Sequence, residues 1–223
     1  MQSRQFALVA AFVSVLSVPA SSVFAQAASK EPVKHTDAAA TLKQDMRKLW
    51  TDHVVWTRDY VIAATTNQPD APAALNRLMK NQEDISGAVA KFYGATAGRQ
   101  LTTLLKEHIS IAGDIVKAAM AGDTPGQKAG DDRWHQNATQ IAEFLSKANP
   151  NWPRATLVDM MNKHLATTTT ELVARLTKDW EGDARAFDAV YDHILHMSDA
   201  LSDGIVKQFP EKFGAGVTST TGR

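Results

Sequence analysis

The chain contains no cysteine. That excludes disulfides, thiolate metal sites and thiol redox chemistry, so the fold must hold itself together by packing. Net charge is missing as well: 24 Lys and Arg balance 24 Asp and Glu. Phosphate binding needs a basic face, so this balance argues against a nucleic-acid partner. No apolar run approaches the roughly 20 residues of a membrane span. Nor does the chain carry C-x-x-C-H, H-E-x-x-H, G-x-S-x-G or G-x-G-x-x-G, which removes the usual signatures of haem attachment, zinc proteolysis, serine hydrolysis and dinucleotide binding. Gly126-Gln127-Lys128 lacks the spacing of a P-loop, and no strand precedes it.

What is present begins with a leader. Arg4, the apolar run Phe6–Val18 and Val23-Phe24-Ala25 read as a secretory signal peptide over residues 1–25, with cleavage near Ala25. The expectation is a periplasmic or secreted protein with no membrane span in the mature chain. Loss of Arg4 leaves 23 cations against 24 anions. Residues 26–36, small and polar with Pro32, read as a flexible lead-in, and residues 211–223 as a flexible tail.

Between them, residues 37–210 read as one helical domain. Six amphipathic stretches follow one another, at about 37–65, 71–93, 95–121, 129–147, 154–177 and 180–209. The first is capped by Thr36 or Asp37. Pro69, Gly94, the Gly122–Gly126 stretch, Asn149-Pro150-Asn151-Trp152-Pro153 and Pro210 punctuate them. Short loops between long helices predict an all-α, antiparallel up-and-down bundle.

The first helix shows the feature that organises the rest. Its apolar stripe Leu42, Met46, Leu49, His53, Trp56, Tyr60, Ala64 has a histidine at its centre. Mid-helix polar residues recur along the chain as His53, Asn81, His108, Asn137, His164 and Asp192/His193, with gaps of 28, 27, 29, 27 and 28 or 29. Asn81 and Ile85 recur as Asn137 and Ile141 at an offset of 56, the mark of a duplicated two-helix unit. In an antiparallel bundle a constant hairpin length returns the chain to the same height, so these residues are expected in one inward-facing slab.

Imidazoles and a carboxylate converging inside a bundle are the parts of a metal site. Neutral imidazole suits zinc, copper or iron, and Asn or Thr can orient the rings. The expected ligands are His53, His108 and His164, with Asp84 or His196 as a further ligand and Asn81, Asn137 and Thr168 behind them. Two other readings stay open. The layer can be purely structural, in a non-catalytic module that binds a protein partner, or it can belong to a metal-dependent enzyme. Met46, Met79, Met160, Met161 and Met197 have the spacing of ordinary core.

The stretches Leu49–Arg58, Lys80–Ile85, Arg133–Asn137 and Asp203–Pro210 resemble a family of small, often exported bacterial proteins without an established activity. The resemblance covers about residues 40–213. It implies recurrent polar positions at His53, Asn81, Asp84, His108, Asn137, His164 and His196. Members carry labels such as glycosyltransferase or acetylglutamate kinase, which no nucleotide-binding motif in this chain supports.

Overall fold

Asp179 opens the last long helix by accepting a hydrogen bond from the Gly182 amide at 2.8 Å, and Asp123 does the same for the third through Gly126 at 3.0 Å. These caps satisfy amide donors that a helix start leaves unpaired. The structure, a computed structural model, describes residues 33–214. The leader, residues 26–32 of the lead-in and the tail beyond 214 lie outside the described residues. Within them are α1 (Val33–Thr65), α2 (Ala71–Met120), α3 (Thr124–Ala148), α4 (Arg154–Thr177), α5 (Trp180–Gln208) and a 3-10 turn (Pro210–Phe213). The all-α expectation holds, with no strand among the described residues.

The count is five helices rather than six, and the difference lies at Gly94. That residue has φ 85° and ψ 163° inside α2, a conformation essentially reserved for glycine. The flanking arms, 71–93 and 95–120, lie alongside one another: Lys106 pairs with Glu83, residues that a straight helix would hold about 34 Å apart. A Cβ on Gly98 would collide with Ala90, so the arms touch closely just past the break.

Three boundaries move. α1 starts at Val33, so Thr36 and Asp37 lie inside it and do not cap it. α3 starts at Thr124, which puts most of the expected 122–126 loop into a first helical turn opened by Pro125. The tail does not fray at Glu211, because Phe213 is buried and stacks on Phe92 at 5.9 Å.

α1 packs on α2 and α5, α2 on α3, α3 on α4 and α4 on α5, so the helices close a ring around one core. Met46, Ile85, Ile141, Leu165, Ile194 and Ile205 are almost completely buried there. Each contributes about 1.5–3 kcal/mol relative to exposure. On α1 the buried stripe runs Met46, Trp50, His53/Val54, Tyr60/Val61, one position round from the expected line. Leu49 and Trp56 sit at its edge, and Trp56 is covered by the Arg77 guanidinium at 5.5 Å.

Candidate metal centre

Each polar residue of the layer is placed by a helix face that is otherwise apolar. His53 on α1, His108 on the second arm of α2 and His164 on α4 are 3%, 3% and 4% exposed. The His53 and His164 rings are 5.6 Å apart and the His108 and His164 rings 6.0 Å, centroid to centroid. Three imidazoles bound about 2.0–2.1 Å from one ion would have centroids roughly 5–5.5 Å apart, so these two spacings, both to His164, are close to those of a ligand set. As the rings stand, no group of three or more His, Cys, Asp or Glu among the described residues is arranged to hold an ion.

One device, a side-chain bond to the backbone carbonyl one turn before the histidine, is used three times. Asn81 donates from Nδ2 to the Leu49 carbonyl at 3.0 Å, and Leu49 precedes His53 by one turn. Asn137 donates to the Leu104 carbonyl at 3.1 Å, one turn before His108. His193 approaches the Met160 carbonyl through Nε2 at 2.8 Å, one turn before His164. The three histidines stand at intervals of 55 and 56 residues, and the three donors at 56 and 56. The histidine-and-donor pattern therefore recurs three times, where the spacing of Asn81 and Asn137 alone predicts two.

The packing repeats with it. Met46, Leu101 and Leu157, seven residues before the three histidines, all line one internal cavity of about 30 Å³, and so do Trp50, Leu105 and Met161, three before them. On the partner helices Ile85, Ile141 and Met197, each four after its donor, line the same cavity. A second cavity of about 40 Å³ lies on the other side, lined by Val61, Val116 and Leu172, each eight residues after a histidine. All three imidazoles border both cavities.

The units differ in how well they satisfy the ring nitrogens. His108 Nδ1 donates to Asn137 Oδ1 at 2.9 Å, an assignment fixed because the Asn137 amide nitrogen is occupied with Leu104. The proton thus sits on Nδ1, and Nε2 presents its lone pair, buried with no partner. His53 Nδ1 lies 3.2 Å from Gln82 Nε2, which also faces the Leu78 carbonyl at 2.8 Å and Asn81 Oδ1 at 3.2 Å. Two amide hydrogens cannot serve three acceptors in full. In the third unit His193 replaces the amide and stacks on His164 at 6.4 Å, which leaves His164 Nδ1 buried and unpaired.

No family model, curated protein or solved structure matches the chain. The chemistry has to be read from the site itself.

Burial holds all three rings neutral. It drives the His53 pKa down to about 3, with repulsion from His108 adding to it, and the His108 pKa to about 4. His164 falls well below the ordinary value, by desolvation first and then by His53, His108 and His193. A neutral imidazole is the metal-binding form.

Two expected ligands are elsewhere. Asp84 faces outward, pairs with Lys80 at 2.8 Å and Arg77 at 3.6 Å, and borders a surface groove with Asp45 and Lys91. His196 is exposed on α5. Neither reaches the slab. Asp192 is exposed too, and His193 carries the sixth position. Thr168 is buried beside the layer, but its hydroxyl has no partner, so it does not orient His164.

The sequence reading missed Gln82, 0% exposed, and an entire ionic cluster. Arg58 binds Glu171 at 2.6 Å and Asp183 at 2.8 Å, and Arg175 reaches Asp183 at 3.2 Å. Both carboxylates are buried, and both guanidiniums lie over aromatic rings, Phe187 at 4.6 Å and Trp180 at 4.9 Å.

Proposed function

We propose that this is an exported helical-bundle protein that takes one transition-metal ion, zinc, copper or iron, into its imidazole layer. The five helices, with α2 divided at Gly94, are read as six antiparallel segments in three hairpins. The leader over residues 1–25 and the likeness to exported bacterial proteins belong to the same reading.

The observation that carries it is the pair of unfilled nitrogens, His108 Nε2 and His164 Nδ1. A buried polar atom without a partner costs about 1–3 kcal/mol, and an ion between the rings would remove that cost. All three rings already border the two cavities in which an ion would stand. A substrate-processing enzyme fits less well. Cavities of about 30 and 40 Å³ admit an ion or a water molecule, not an organic substrate.

A second reading has its own support: the rings form no ready ligand group as they stand. On that reading the layer only fixes the register of the helices in a non-catalytic interaction module.

One experiment separates the two. The chain is purified without chelator, assayed for bound metal, and titrated calorimetrically with Zn²⁺ and Cu²⁺. The metal reading expects binding at micromolar dissociation constants or tighter, roughly −8 kcal/mol, abolished by His164→Ala in a variant that remains helical. Binding no tighter than about millimolar would leave the structural layer, for which His53→Ala costs about 1–3 kcal/mol and metal has no effect.

A further inference from the structure

The third repeat carries two of the three thioethers that line the cavity, Met161 and Met197, the other being Met46 of the first repeat. Where the first two units place an asparagine, it places His193. Where they place Trp50 and Leu105 against the cavity, it places Met161, and where they place Ile85 and Ile141, it places Met197. His193 stacks on His164 at 6.4 Å, and Met161 and Met197 line the cavity that His164, the ring whose Nδ1 is left unpaired, also borders. Met161 stands one helical turn before His164, so the two side chains share a face of α4.

Charge narrows the choice of ion. No carboxylate lines the cavity. The buried acids Glu171 and Asp183 are engaged by Arg58 and Arg175, and Asp84 points to solvent. A dication would stand in this apolar space with no anion beside it, and the desolvation cost grows as the square of the charge. A monovalent ion avoids most of that cost, and thioethers with imidazoles select the soft monocations. Resting on the metal reading above, we infer that the occupant is cuprous copper, held by imidazole from the layer and by thioether from Met161 and Met197.

The test uses the purified chain under nitrogen. Cu(I) is presented in competition with bicinchoninate, and silver nitrate and zinc sulfate are titrated separately by calorimetry. The expected result is one tight equivalent of Cu(I) or Ag(I), bound at least about a hundredfold more tightly than Zn(II). Met161→Leu with Met197→Leu, a volume-conserving pair that the core tolerates, should weaken Cu(I) binding at least about tenfold and leave Zn(II) unchanged. X-ray absorption at the copper edge should show sulfur scatterers in the parent chain and none in the double variant, although Met46 still lines the cavity; sulfur retained there overturns the assignment to Met161 and Met197. Zn(II) binding as tightly as Cu(I), or a double variant that holds Cu(I) undiminished, overturns the cuprous assignment and leaves the metal reading standing. If no metal binds the helical chain, both fall.

Discussion

Two of the buried polar regions among the described residues are built on opposite terms. The cluster of Arg58, Glu171, Asp183 and Arg175 is charged and closely paired: Asp183 takes bonds from two guanidiniums and Glu171 from one. The imidazole layer is neutral and incompletely paired, with free nitrogens on His108 and His164. Glu171 stands seven residues after His164 on the same helix, so the contrast spans only two turns. The ionic cluster locks helices together with both carboxylates engaged; its one unpaired atom, Arg175 Nε, is an N–H donor with no lone pair to offer a cation. A layer with unpaired ring nitrogens, among them the His108 Nε2 lone pair, retains chemical capacity, and the metal reading rests on that difference.

Acid should break the comparison most severely. The three histidines titrate near 6.5 when unfolded and far lower when folded. Between those values the unfolded chain binds more protons, so stability present above pH 6.5 is lost as pH falls toward the folded values. By pH 5 His53 and His108, with folded values of about 3 and 4, each contribute a loss of about 2 kcal/mol, about 4 kcal/mol together, and His164 shifts stability in the same direction. Urea denaturation of the metal-free chain followed from pH 7 to 4 should show its midpoint collapsing; equal stability at pH 7 and 5 would contradict neutral burial.

Asp183→Ala is the matching blow to the ionic cluster. It leaves two guanidiniums without their shared carboxylate and should cost about 3–5 kcal/mol in chemical denaturation, with metal binding unchanged. A loss below 1 kcal/mol would mean that the cluster is solvated.

Asn137→Ala should cost about 1–3 kcal/mol, because it strips the partner from His108 Nδ1. The imidazole resonances of His108 should broaden or shift in NMR spectra while those of His53 stay put. If the two rings respond alike, the units are not independent.

His193→Asn reproduces the pattern of the second unit, with its amide nitrogen toward the Met160 carbonyl and its oxygen toward His164 Nδ1. Stability should rise by about 1 kcal/mol and metal affinity should fall. A destabilised variant would show that the third unit follows a different geometry.

The smallest effect is expected from Asp84→Ala with His196→Ala: within about 0.5 kcal/mol of the parent in stability, and no change in calorimetric metal binding.

The helical period of the chain was legible from its apolar spacing, and so was the layer at His53, Asn81, His108, Asn137 and His164. The errors came at the margins of helix faces. Asp84 and His196 each lie three residues from a layer position, but on the side of the stripe that turns to solvent. Gln82 was visible in principle as the missing member of Leu78, Ile85 and Val89. Glu171 and Arg58 likewise continue the faces of His164, Thr168 and of Val54, Val61. Their partnership was not legible, because 113 residues separate them and no local pattern joins such distant charges. The third repeat hid behind its own substitution of histidine for asparagine.

Gly94 sets the angular origin of everything that follows it in α2. Because a helix turns about 100° per residue, one residue added or removed between Gly94 and His108 would swing that imidazole a quarter-turn or more away from its neighbours. The same edit beyond Met120, in the turn before α3, would spare it. Length is therefore tightly constrained over the stretch that carries His108, and the constraint originates in a residue with no side chain.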